Sequence, residues 1–237
     1  MDSIKTFPKF TVLFIVMIIL EIMGLTIAPS FHMVTKPMIM ATLLGFYITV
    51  TPKQSNILLM AMILALLGDC FSLNYASLDF VAISLFCYLF MHILYGLEFN
   101  TKRRIGISRV LTLPMVIGLL AMAYVGTFWS DFVGMKFSVV LFTLASIFAI
   151  VTAYFRHPKL RGYKEVLFGI ILFLLNSGLV AWVSFRNGFP YQEIFIMITY
   201  MISQYFIVTG IVLGNTPRKL KSKPKRNSNF AIYKDKS

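Results

Sequence analysis

The sequence predicts an all-α membrane protein, a polytopic bundle of eight transmembrane helices. Three observations carry this. Of the 237 residues 58% are hydrophobic and only 13% charged, apolar runs of helix-spanning length recur along the chain, and basic residues cluster at every second break between them. Ordinary soluble domains hold about 45–50% apolar and about 25% charged residues, so a soluble monomer of this size cannot hide the excess. The 23 Phe and 14 Met spread through those runs also exclude a disordered, collagen-like or coiled-coil chain.

A helical span takes about 20 predominantly apolar residues, and the eight are read near 10–28, 31–50, 54–72, 77–99, 106–125, 134–154, 164–185 and 191–213. The first follows Lys5 and Lys9 and ends at Pro29. The second carries Lys36-Pro37 in its first two turns and stops before Pro52-Lys53. Gly68-Asp69 closes the third, and the fourth runs to Lys102-Arg103-Arg104. The fifth starts after Ile105, the sixth starts at Gly134 and ends before Arg156, the seventh ends before Arg186, and the eighth follows Pro190. No segment alternates as a membrane β-strand does, and Asn56 to Leu67 is apolar on every face after its first residue. Helices are then the only spanning solution.

With the N-terminus inside, 18 of the 22 basic residues fall on one side, eight of them in the tail from Arg218 to Lys236, while the other side receives Arg186. Lys36, Arg109 and Lys136 lie within spans. This bias predicts a multi-pass protein of the cell membrane with both termini cytoplasmic. The transmembrane domain is expected over 1–215, followed by a basic, disordered cytoplasmic tail over 216–237. Orientation and anionic lipid account for the net charge of +13 without nucleic acid as a partner. Lys5 and Lys9 before an apolar run imitate a signal peptide, but cleavage near Ala28 would break the charge alternation, so an uncleaved first helix is preferred. Cys70 and Cys87 read as buried small hydrophobes rather than a disulfide.

Ionisable and amide groups in the spans are expensive, which makes Glu21, Lys36, Asp69, His92, Glu98, Asn176 and Gln204 the informative residues. Alternating topology sets their depth. Lys36, about 7 Å into the second span, Asp69 near the end of the third, Glu21 two-thirds along the first, and Asn176 with Ser177 on the seventh all approach one layer in the outer half. His92 and Gln204 lie deeper, and Glu98 is near the inner surface, where headgroup water suffices for it. Bland readings exist for the others. Lys36 could snorkel, though Pro37 beside it suggests a protein-facing kink; Asp69 could close its helix; His92 could be a satisfied interhelical residue; Glu21 could be a structural partner of Lys36.

Tyr88, His92 and Tyr95 at i, i+4 and i+7 form a polar aromatic stripe on the fourth span, and Tyr200 with Gln204 a similar pair on the eighth. A shift of 108 residues lays Asp69 on Ser177, His92 on Tyr200, and Ile63, Leu64, Leu66 and Leu67 on identical residues, as a four-plus-four internal duplication would. No G-x-S-x-G, H-E-x-x-H or Walker sequence occurs. Three histidines at three different levels cannot make a zinc set, and no motif implies a cofactor.

Lys36-Pro37, Leu67-Gly68-Asp69, Phe90-Met91-His92-Ile93-Leu94-Tyr95 with Phe99, Gly169 with Leu172-Phe173 before Asn176-Ser177, and Tyr200 with Gln204 occur in an order and on helices that resemble the YhhN-like family of eight-helix membrane proteins, which includes the lysoplasmalogenases. The resemblance covers almost the whole chain apart from the tail. It implies hydrolysis of the vinyl ether bond of a lysoplasmalogen to a fatty aldehyde and glycerophospho-ethanolamine or glycerophospho-choline, with a lysophospholipid or another amphipathic lipid as partner beside the membrane lipids. Such chemistry asks for an acid at the enol-ether carbon and a base for water, which two carboxyl groups can supply. Asp69 and His92 are then the catalytic candidates together with position 177. Lys36 suits a phosphate, and Glu21, Tyr95, Asn176, Tyr200 and Gln204 organise substrate and water. The family pattern places Ser-Asp on the seventh span, where this chain has Asn176-Ser177, so the second carboxylate is replaced by Ser177. Three readings follow: a hydrolase of lysoplasmalogen type, a catalytically lapsed member that binds a lysolipid, and a small transporter.

Overall fold

A computed structural model describes residues 3–27, 29–74, 77–102, 112–131, 134–186 and 188–215. Arg109 and the tail over 216–237 lie outside the described residues, as does the expected start of the fifth span at 106. Eight helices are described: α1 (Ser3–Thr26), α2 (Pro29–Val50), α3 (Asn56–Phe71), α4 (Leu78–Asn100), α5 (Thr112–Thr127), α6 (Lys136–Phe155), α7 (Tyr163–Phe185) and α8 (Gln192–Asn215). Six are long and apolar enough to cross a membrane, and α3 and α5 are shorter apolar helices. Apolar side chains such as Val12, Leu119, Leu120 and Phe137 lie on the outside of the bundle, as expected where lipid rather than water is the solvent.

Shifting the chain by 108 residues lays α1 to α4 on α5 to α8. The packing follows the same rule: each half joins its helices in sequence, and the exchange between halves pairs α4 with α6 and α8 with α2. Of the long helices, α8 is the most enclosed. On one side it meets α1 through rings, with Tyr205 stacked on Phe14 at 5.1 Å and on Phe10 at 6.2 Å, and Phe10 stacks in turn on Phe46 of α2 at 3.7 Å. On the other it meets α7 so closely that a Cβ at Gly169 would stand 2.8 Å from the Ser203 carbonyl oxygen. A stripe that brings backbones together replaces the hydrophobic drive that lipid cannot supply.

The two ends of the bundle differ. At the end carrying Lys53, Lys102, Arg156 and Lys159, Glu98 is buried and accepts a 2.5 Å hydrogen bond from the Ser55 hydroxyl. The buried Arg156 guanidinium lies 5.4 Å from the Phe99 ring and in the field of Glu98. Burial lowers this guanidinium to about 10, which leaves it charged at neutral pH. The expectation that headgroup water suffices for Glu98 is thus corrected: in water a carboxylate needs no partner, whereas this one sits where Coulomb attraction is strong. At the opposite end Lys136 opens α6, with its ammonium 5.1 Å from the Trp129 ring, and Arg186 donates to the Thr127 carbonyl at 3.0 Å. Cys70 and Cys87 are free thiols, and Cys70 is exposed on the outside of α3. The reading of both as buried fails there because lipid accepts a small thiol as readily as a core does.

Candidate functional site

The last turn of α3 brings Asp69 into the bundle with no exposed surface. Both of its carboxylate oxygens are used: the Tyr88 hydroxyl donates to Oδ1 at 2.7 Å and the Tyr200 hydroxyl to Oδ2 at 2.8 Å. Gly68 makes the first of these bonds possible, since a Cβ there would lie 2.8 Å from a Tyr88 ring carbon. Lys36 of α2 carries the opposite charge, and the two carboxylates whose fields reach it are Asp69 first and Glu21 second. Four helices, α2, α3, α4 and α8, therefore converge on one carboxylate. A buried carboxylate persists only when its lone pairs are hydrogen-bonded, and here the tyrosines do that.

Glu21 of α1 is equally buried. Its Oε1 is 2.6 Å from His32 Nδ1, and its Oε2 accepts from the Thr35 hydroxyl. It thus joins the Asp69 group through Lys36 and keeps no oxygen free of a partner.

Phe173 of α7 is the apolar floor of the group. Its ring meets Tyr88, His92 and Tyr200 edge to face at 6.4, 4.7 and 5.8 Å. His92 is fully buried and packed against Phe142 as well, at 5.1 Å. Its Nδ1 lies 2.8 Å from the Tyr88 carbonyl, which can only accept, so Nδ1 carries the proton. Nε2 has no hydrogen-bond partner among the described residues. An unpaired acceptor in an apolar wall is costly and is the feature expected of a place where a ligand or water donates.

Deeper, Tyr95 donates to Gln204 Oε1 at 2.8 Å, and Gln204 Nε2 reaches the Met91 sulfur at 3.7 Å. Asn176 turns away to α8, donating to the Ile196 carbonyl at 2.6 Å and to Thr199 Oγ1 at 2.9 Å. Ser177 donates to the Phe173 carbonyl one turn back at 3.0 Å. The structure therefore gathers Lys36, Glu21, Asp69, His92 and Tyr200 around one charge group, gives Tyr95 and Gln204 a layer below, and assigns Asn176 to helix pairing. Among the described residues no group of His, Cys, Asp and Glu could hold a metal.

The sequence puts Tyr88 on the polar stripe without a role, contributes Phe173 only to the resemblance, and singles out neither Thr35 nor His32. The spacing of Tyr88 from His92 was a usable signal for the first. Nothing in the string ties Thr35 to Glu21, because that pairing depends on the α1–α2 crossing. Gly24 sets its closeness, a Cβ there lying 3.1 Å from the His32 nitrogen.

These features define a polytopic helical membrane protein with a buried carboxylate site framed by lysine, tyrosine and histidine. The chain belongs to the YhhN family, whose model matches residues 31–211. No curated protein and no solved structure matches it.

Proposed function

We propose that this YhhN protein binds a lysophospholipid and hydrolyses its vinyl ether slowly, as a lysoplasmalogenase centred on Asp69. The observation that supports it most is Asp69 itself, fully buried between two tyrosine hydroxyls with Lys36 as counter-charge. In such a reaction Asp69 first takes up a proton, then gives it to the enol-ether carbon, and the tyrosine donors hold the carboxylate left behind. Water then adds to the oxocarbenium carbon and returns a proton to that carboxylate. The hemiacetal collapses to aldehyde and the glycerol hydroxyl. His92 Nε2 is the acceptor available to orient the water, and Lys36 is the cation available to a phosphate. One carboxylate must serve two atoms in turn, since Glu21 is occupied by His32 and Thr35, and this makes the reaction slow. The same shortage favours a second reading, lysolipid binding without turnover.

The test is aldehyde release from a lysoplasmalogen by the purified, reconstituted protein. Slow release is expected, with Asp69→Asn lowering it by about 10²–10⁴-fold. No release from either the parent or Ser177→Asp, in folded protein, would discard the hydrolase reading in favour of the second.

We also propose a cell-membrane orientation with both termini cytoplasmic. Reporter fusions at Ser237 and within 72–78 should report opposite sides; same-side signals would overturn the arrangement.

A further inference from the structure

His32 has no part in the reaction just described, yet its ring joins two environments. Its side chain is 23% exposed at the end of the bundle where α1 meets α2, while Glu21, on which its Nδ1 rests at 2.6 Å, is entirely buried. We infer that His32 is the proton port of the buried charge group, passing protons between solvent and Glu21.

The hydrogen bond supports both states of such a relay. With Glu21 ionised, Nδ1–H donates to Oε1; with Glu21 protonated, its O–H donates to Nδ1, and the heavy atoms keep their places. A proton arriving from water at Nε2 gives the imidazolium, and the Nδ1 proton then passes to Glu21, leaving a neutral ring in the other tautomer. The reverse sequence returns the proton, so the exchange sets an equilibrium and consumes nothing. Thr35 holds Oε2, which directs Oε1 to the ring. The charged group in contact with His32 is Glu21 on α1; Lys36, one turn further along α2, lies in the fields of Asp69 on α3 and of Glu21, which also reaches Asp69. The geometry that carries the proposal is this pairing of a partly exposed ring with a fully buried carboxylate oxygen that has no other hydrogen bond among the described residues.

The experiment reads protonation rather than turnover, so its failure is distinct from failure of the hydrolase reading. Full-length protein in lipid nanodiscs is acidified by rapid mixing while the infrared band of protonated carboxyl groups is followed, and Glu21→Gln assigns the Glu21 component. In His32→Ala the rise of that component should slow by about 10²-fold, at unchanged final amplitude, and added imidazole should restore the rate. His32→Gln, whose amide keeps a hydrogen bond to Glu21 without relaying, should be slow and serves if the alanine variant does not fold. An unchanged rate in both variants, a slow rate that imidazole leaves slow, or the lack of any Glu21 component would overturn the proposal.

Discussion

Ser177→Asp is expected to raise vinyl-ether hydrolysis by about 10²–10⁴-fold, the range that a placed acid or base commonly contributes. Ser177 stands one helical turn beyond Phe173, to whose carbonyl it donates, and residues four apart share a helix face. Phe173 turns that face toward Tyr88, His92 and Tyr200. A carboxylate at 177 therefore enters the site from the helix opposite α3 in the repeat, and the two halves of the reaction can be divided between two groups. A serine hydroxyl can hold water but does not ionise near neutral pH, so the parent lacks that division. Ser177→Asn, which adds an amide of similar size to the new carboxylate but unable to accept a proton as a base, should leave the rate at the parental level. Aldehyde release from a lysoplasmalogen decides it. A folded Ser177→Asp protein no faster than its parent would remove position 177 from the mechanism. Robust parental activity that survives Glu21→Gln would show that one carboxylate suffices.

The legible part of this molecule was whatever depends on composition and depth. Apolar length and the breaks between runs predicted eight helices, because membrane thickness and backbone hydrogen bonding leave few alternatives. The described boundaries lie close to the expected ones except at the start of α1, which begins at Ser3 with Pro8 inside the helix. Depth also set Lys36, Asp69 and Glu21 in one layer, since alternating topology converts sequence position into height. Rotation about the helix axes was not legible. Asn176 and Ser177 are neighbours at the same height, yet one hydrogen-bonds to α8 and the other stands over Phe173. Glu98 looked like a headgroup residue because depth was its only coordinate; its contact with Ser55 depends on how α3 and α4 pack. Side chains that are apolar all round give no moment from which such rotations can be read.

Lys36→Met is expected to destabilise the protein by about 1–3 kcal/mol, because it removes the cation whose charge lies in the fields of the buried Asp69 and Glu21 carboxylates. Methionine keeps the apolar length of the stem, so packing changes little and the lost charge dominates. What remains is Asp69 and Glu21, both fully buried and now without their shared cation. The tyrosine hydroxyls on Asp69 and the Thr35 hydroxyl and His32 on Glu21 soften the penalty without cancelling it, because a hydrogen bond neutralises no charge. Adding Asp69→Asn to Lys36→Met should recover most of the loss, since the asparagine side chain is neutral and its amide oxygen can still accept from one of the tyrosines. Asp69→Asn alone should cost less than Lys36→Met alone, as Lys36 then retains Glu21. Thermal unfolding of the four proteins in one detergent gives the coupling directly. Additive losses would show that Lys36 and Asp69 do not interact, whereas a double variant more stable than Lys36→Met alone is the sign of one charge group. A Lys36→Met protein as stable as its parent would mean that the ammonium reaches past the helix ends to water, and the site would lose the cation on which its phosphate-binding role depends.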